Sequence, residues 1–397
     1  MVAGPYRCPL PPFAYVDLIE TGEDELAWSP EMAWAHSRFP RNQVDKAGAS
    51  LASDNTTVRE IMHAYEILNN WRASHAFPLT NFQTNLRAKI KNIQSDVLVA
   101  QRIKRLESIK AKLLRPETKT LELSQMQDIG ECRAVLKNIE NLYKAVASYH
   151  KSKFAHVLRS ERDYISSPKA DGYRGYHLIY QYKSLANQIT AYDNLRIEIQ
   201  LRTALQHEWA TAVEAVGAFT REALKSNQGS QDWLRLFALT SAYIAVVEET
   251  ARVPNMPTSE RQLASEIRDV AENLYAVKTL AAYRVTLDYV GKLKEKASKY
   301  FLVHYHYGEH RVSVEGYAAN ASQKANLDYT KTESNKKEGD NIVLVSVDSL
   351  KALMRAYPNY FLDTAQFTEL LREIITEAGV DEREEDEALA ADEAMKE

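Results

Sequence analysis

The chain has 397 residues, 45% of them hydrophobic and 26% charged, the make-up of a globular protein of about two or three domains at roughly 150 residues each. No apolar run approaches the ~20 residues that span a bilayer, the start MVAGPYRCPLPPFAYV lacks a charged-then-apolar signal pattern, and two cysteines, Cys8 and Cys132, exclude a disulfide framework or a self-contained zinc quartet. A cytoplasmic protein with no membrane partner is expected. The net charge of −4 is uneven: from Asp381 to Glu397 nine acids face two bases, so this tail carries −7 and the remainder is near +3.

In chain order, residues 1–55 read as irregular, with several prolines. Thr57–Trp71 places Val58, Ile61, Met62, Tyr65, Ile67 and Leu68 at near-helical spacing. A longer helical run, rich in Lys and Arg, is expected over about Phe82–Leu114, stopping before Pro116. Short β-branched and aromatic segments follow at Arg133–Leu136, Asp163–Ile165, His177–Tyr182 and Leu195–Leu201, with a helix over Asn138–His150 and another over Thr203–Ala218. The segment IEIQLR alternates, so Glu198, Gln200 and Arg202 share one strand face. This middle part is α+β, a mixed β-sheet flanked by helices.

Beyond Gly229, helices are expected over about Asp232–Glu249 and Ser259–Lys299. A small α+β unit then comprises strands Tyr300–Tyr307, His310–Tyr317 and Asn341–Val347, a loop over Asn320–Asp340, and helices over Ser349–Arg355 and Thr364–Ala378. The expected divisions are 1–55 irregular, 56–225 the α+β domain, 230–299 helical, 300–378 the small α+β unit and 379–397 a disordered acidic tail.

Four clusters carry chemistry-bearing side chains. The first packs Arg102, Lys104, Arg105, Lys110, Lys112 and Arg115 around Ser108 at a helix end. Such a density of cations suits a polyphosphate, although one basic helix by itself is also an ordinary solvated face. In the second, MQDIGECR, turn residues put Asp128 at a strand edge, where a carboxylate holds Mg²⁺ or simply ends a turn. The third, Asp163–His177, sets Lys169, Tyr173, Arg174 and His177 on a loop fixed by Pro168, Gly172 and Gly175. Rings beside cations there serve a nucleotide base with its phosphates, or pack on the core. The fourth runs from Glu198 through Gln200 and Arg202 to His207 on the next helix.

In this order the clusters resemble the synthetase domain of RelA/SpoT homologues, especially the small relatives without a hydrolase half. The resemblance spans about Ala64–Ala218 and includes the opening run Asn70–Leu79, NWRASHAFPL. Its most specific part is DYI-SPK-DGYRGYH followed by EIQLRT and His207. It implies a nucleotidyltransferase-like synthetase domain that moves the β,γ-pyrophosphate of ATP to a ribose 3′-hydroxyl with Mg²⁺ as cofactor. Arg102, Lys104, Lys110, Lys112 and Arg133 are then implied to bind ATP, with Ser108 in the same phosphate loop. Asp128 is implied to hold the metal, and Glu198 to complete that site or to act as the base. Tyr173 is implied to stack on the acceptor base, with Lys169, Arg174 and His177 around the acceptor phosphates and Gln200, Arg202 and His207 in support.

Two departures stand out: Glu131 occupies the usual glycine of the family's D-I-x-G-x-R pattern, and Asp171 a position where many members have asparagine. None of the ten histidines is followed by Asp, so the hydrolase pair of the family is not expected, and synthesis without hydrolysis is. The acceptor stays open: GDP or GTP, giving a guanosine alarmone; a tRNA 3′ end or an adenine nucleotide, as in toxin-like relatives; or none, if the fold serves as a sensor. The region after about Asp232 suits a core of its own, a homo-oligomer surface, or a site for a protein regulator at Tyr300, Tyr305, Tyr307 and Tyr317.

Overall fold

A computed structural model of the chain describes residues 34–394 apart from 54, 116–117, 119, 185–189, 221–229, 283–285, 288–297, 307–308, 310, 338–339 and 348–363. Helix α1, Arg41–Leu51, lies inside the stretch that reads as irregular. Its buried stripe of Val44, Ala47, Gly48 and Leu51 has helical spacing but consists largely of small residues, which makes the periodicity faint. Gly48 allows the close approach, since a Cβ there would lie 2.7 Å from the Leu123 Cβ. A capping box of Thr57 and Glu60 starts α2, Val58–Ser74. Helix α3, Ala76–Lys91, follows with Pro78 in its first turn, where no amide bond is lost.

The single helix expected over about 82–114 is in fact α3, then strand β1, Leu98–Ile103, then helix α4, Leu106–Leu113. Burial of Leu98, Val99, Ala100 and Ile103 between two neighbouring strands overrides the helical look of the basic sequence. Next come β2, Gly130–Leu136; α5, Ile139–His150, capped by Asn138; β3, Val157–Asp163; β4, Tyr176–Gln181; β5, Arg196–Thr203; and α6, Ala204–Thr220. The strand expected at 163–165 ends at Asp163 instead. Its carboxylate accepts the Ile165 and Ser166 amides at 2.9 and 3.0 Å and turns the chain.

The C-terminal part contains α7, Gln231–Val247; α8, Glu260–Asn273; α9, Ala276–Ala282; β6, Thr286–Leu287; β7, Ser298–His306; β8, Arg311–Ala318; α10, Ser322–Ser334; β9, Asn341–Ser346; and α11, Ala365–Ala394. The helical run expected to 299 is interrupted by Tyr275 at φ +48°, and the described residues 286–287 and 298–299 are strand. The expected loop 320–340 contains α10, held by buried Ala325, Tyr329 and Glu333 on one otherwise polar helix. The acidic tail expected to be disordered is helical to Ala394, consistent with its Glu and Ala content, both strong helix formers. The helix expected over 349–355 lies outside the described residues.

Among the described residues, nine strands form one sheet in the order β3-β4-β5-β2-β1-β9-β7-β8-β6. Pairs β2/β5 and β6/β8 are parallel and the rest antiparallel. The C-terminal strands therefore do not form the separate unit expected over 300–378, because β9 pairs with β1 through Gln101↔Ser346 and Arg102↔Val345. One face of β5-β2-β1 packs on α2, α3 and α5 through Ile197, Ile199, Cys132, Ala134 and Phe82. On the other face α6, α7, α8 and α11 cover Leu98, Ala100, Phe301, Val303, Val343 and Val345. Among the described residues, no helix is long and apolar enough to cross a membrane.

Candidate active site

Alternation along three adjacent strands brings Arg102 of β1, Glu131 of β2 and Glu198 of β5 into register on the face that helices cover elsewhere. Here the cover is incomplete. A cleft of 780 Å³ opens between these strands, the loop after β3, and the helices α6 and α7, which contribute Trp209, Val213, Leu234 and Phe237. Eight Lys or Arg side chains line it against five acids, the surplus of positive charge that a polyphosphate requires.

The cations are held by internal carboxylates. Lys104 and Lys112 donate to opposite oxygens of Asp128 at 2.8 and 3.1 Å. Burial alone would raise the Asp128 carboxyl, but the two ammonium groups outweigh it and keep the group ionised far below its usual range. Glu131 is 7% exposed and sits between two guanidinium groups. Arg102 donates to one oxygen from Nε and Nη2 at 3.1 and 2.9 Å, and Arg133 to the other at 3.1 and 2.6 Å. Against the penalty of burial, these arginines hold its carboxyl well below the carboxylate range. A glutamate at this position thus occupies two of the arginines that the resemblance assigns to ATP.

A second network runs from Glu198. Its Oε1 lies 2.9 Å from His177 Nδ1, and His177 Nε2 lies 2.6 Å from the Tyr173 hydroxyl. Gln200 Nε2 and Arg202 Nη2 both donate to that hydroxyl, at 2.9 and 3.0 Å. The donor inventory is self-consistent: Nδ1–H donates to Glu198, the Tyr173 proton points at Nε2, and the Tyr173 oxygen accepts twice. Burial pushes the Tyr173 phenol up to about 12 despite Arg202 beside it, so it remains a donor. Lys169 lies 5.2 Å and Arg202 5.3 Å from the Tyr173 ring centre.

Of the residues singled out in the sequence, Arg102, Lys104, Lys112, Asp128, Lys169, Tyr173, His177, Glu198, Gln200 and Arg202 meet in this cleft. Others do not line it. Ser108 faces a separate depression of 220 Å³ with Arg105 and Glu333, and Lys110 lies elsewhere on α4. Arg133 and His207 are buried, at 3% and 2% exposure. Arg174, expected near acceptor phosphates, is 2% exposed and donates to Ser241, Thr250 and the carbonyls of Ile165 and Ala251. It ties the loop between β3 and β4 to α7 and to the residues that follow it. Gly172 makes this possible: it has φ +88°, its carbonyl accepts from Ser241, and a Cβ would stand 2.9 Å from the Ser241 Cβ. The cleft also contains Arg115, which belongs to the first basic cluster but had no role assigned, and Arg162, Tyr164 and Arg196, which had none either. Arg162 and Tyr164 flank Asp163 at the end of β3, and Arg196 leads β5 two positions before Glu198, so alternation was the available signal.

Asp128 and Glu198 place two carboxylates in the cleft, the hard oxygen donors that Mg²⁺ takes together with substrate phosphates. By donor chemistry these two residues suit that ion.

Residues 101–221 match the profile of the region found in RelA / SpoT proteins. The chain is 31% identical over 113 residues to the GTP pyrophosphokinase YjbM of Bacillus subtilis, and 32% over 114 residues to YwaC of the same organism, each over 28% of this chain and 52% of that protein. Against the small alarmone synthetase 2 of B. subtilis the TM-score is 0.38 at 22% identity, over 46% of this chain and 94% of the other. The chain thus spans about half the length of these curated relatives. Residues 101–221 of the chain thus carry a region of the RelA/SpoT type.

Proposed function

We propose that the chain transfers the β,γ-pyrophosphoryl group of ATP to the ribose 3′-hydroxyl of GDP or GTP, releasing AMP, and that it makes guanosine alarmones without hydrolysing them. The observation that carries this reading is the pairing, in one cleft, of a polycationic wall at Arg102, Lys104 and Lys112 with the chain Glu198–His177–Tyr173. One wall suits a triphosphate, and the other presents a carboxylate oriented by a histidine.

In this reading O3′ attacks the β-phosphorus, the bond from the β-phosphorus to the α,β-bridging oxygen breaks, and AMP leaves. The 3′-hydroxyl proton passes to Glu198, whose orientation His177 fixes from behind. Lys104 and Lys112 would turn from Asp128 to phosphate oxygens, leaving that carboxylate able to hold a metal ion. Asp128, joined by Glu198 where that carboxylate does not serve as the base, would hold Mg²⁺, which would supply charge neutralisation on the phosphates.

A second reading has one observation in its favour. Arg41 and Arg159 lie close enough to Arg196 to depress its guanidinium further after burial has lowered it. This arginine group at the cleft favours a longer polyanion, such as a tRNA 3′ end.

The test offers ATP labelled at the γ-phosphate with Mg²⁺ to GDP, GTP, ADP and deacylated tRNA in separate reactions. Label on a guanine nucleotide supports the proposal. Label on tRNA alone, falling steeply with salt, replaces it with the second reading. Loss of label from purified guanosine alarmone on incubation with the protein would refute the absence of hydrolysis.

A further inference from the structure

We propose that the C-terminal half of the sheet contains a binding site for a divalent transition-metal ion of the zinc class, formed by His304, His306 and Asp340. The three ligand atoms lie within 4.8 Å of one another. His304 and His306 alternate along β7, so both imidazoles stand on one face, with ring centres 3.8 Å apart and planes 30° from parallel. Asp340 directly precedes β9. Its side chain is 3% exposed, and its Oδ2 lies 2.9 Å from His304 Nε2.

The scaffold is rigid where this matters. Strand β7 is paired on both sides at His304, opposite Ser313 of β8 and Ile342 of β9, and His306 is paired with Arg311 of β8. His306 Nε2 lies 2.9 Å from the Ser313 hydroxyl. With Nε2–H donating, that contact would orient a coordinating imidazole and leave Nδ1 as the lone-pair donor. Arg311 faces His306 across the hairpin and would repel a cation, but Glu309 pairs with it at 2.9 Å and also lies 3.5 Å from Lys337.

Two imidazoles and one carboxylate make a donor set suited to zinc rather than to Mg²⁺ or Ca²⁺, which take oxygen ligands, and three protein ligands leave a fourth position for water. Bound metal would fasten β7 to the residue that leads into β9, and so steady the strand that joins the two halves of the sheet. This site is separate in residues from the cleft, and its occupancy does not depend on the proposed reaction.

The experiment uses the full chain, without an affinity tag, stripped with chelator. Zinc alone is titrated in competition with a chromophoric chelator, and cobalt(II) spectra are recorded on the unaltered protein. One equivalent should bind, raise the melting temperature progressively with free zinc, and give the visible absorption of four-coordinate cobalt. His306→Asn and Asp340→Asn should weaken binding by more than the about 10–100-fold that loss of an outer partner costs, whereas His177→Ala in the cleft should leave it intact. Absence of stoichiometric zinc and of the cobalt band on the unaltered chain would overturn the site. So would undiminished binding in a folded His306→Asn variant.

Discussion

Strands β2 and β5 lie side by side and present Glu131, Arg133, Glu198, Gln200 and Arg202 on one face of the sheet. Further along the same face, β7 and β9 present Phe301, Val303, Val343 and Val345, all at 1% exposure or less and covered by helices. The backbone ladder is continuous across both. In the polar half three carboxylates have basic partners: Asp128 two lysines, Glu131 two arginines and Glu198 a histidine. A buried ion pair is weak evidence for stability, because desolvation opposes its Coulombic gain. The polar half is therefore best understood as a site held ready, and the apolar half as the brace beside it.

If that division is right, changes in the two halves should separate into effects on rate and effects on stability. Glu198→Gln should lower kcat for pyrophosphoryl transfer by about 10²–10⁴, with the melting curve nearly unmoved. A matching loss of stability would break the comparison. On the brace side, Arg72 and Glu333 form a buried pair at 2.9 Å, and Glu333 also accepts the Leu106 amide at the start of α4. Glu333→Ala leaves a buried guanidinium uncompensated and should destabilise the fold by about 3–5 kcal/mol in denaturant titrations.

The third effect depends on pH. Burial pushes the His75 imidazole down to about 4, against the bond to the Trp71 carbonyl. The unfolded chain therefore takes up this proton first, near pH 6.5. Stability from His75 is fully present above that pH and falls towards pH 4, by up to about 3 kcal/mol at 1.36 kcal/mol per unit. Unfolding measured at pH 7.5, 5.5 and 4.5 should show this slope, and His75→Asn should flatten it. The smallest expected effect sharpens the meaning of Glu131. Glu131→Gln removes the internal anion from Arg102 and Arg133, and the KM for ATP should fall about tenfold, a change of about 1.4 kcal/mol. A rise in KM would instead make Glu131 a positioning group for the arginines.

Much of the cleft could be read from sequence because strand alternation and loop composition are local signals. Glu198, Gln200 and Arg202 share a face by simple parity, and Pro168 and Gly172 mark the loop that carries Lys169 and Tyr173. What escaped depends on distant partners. Arg174 looks like its neighbours in sequence, yet Ser241 and Thr250 draw it away from the cleft. Strand β1 is a strand because β2 and β9 flank it, and no local pattern distinguishes Leu98–Ile103 from the basic helices on either side. Likewise α10 is polar on most of its surface, and distant partners, Arg72 of α2 among them, account for the burial of Tyr329 and Glu333.

The pairing of β9 with β1 also bears on how this protein could be divided. The region 101–221 looks like a detachable module by family resemblance alone. Cut after about Gly229, however, the fragment would lose β9, and the backbone of Gln101 and Arg102 would become an open strand flank beside apolar Leu98 and Ala100, whose cover in α7, α8 and α11 is also gone. Such a flank recruits other chains. A shortened version should therefore clump in solution before its chemistry can be measured, and any study of the isolated module would need a replacement strand supplied along that margin.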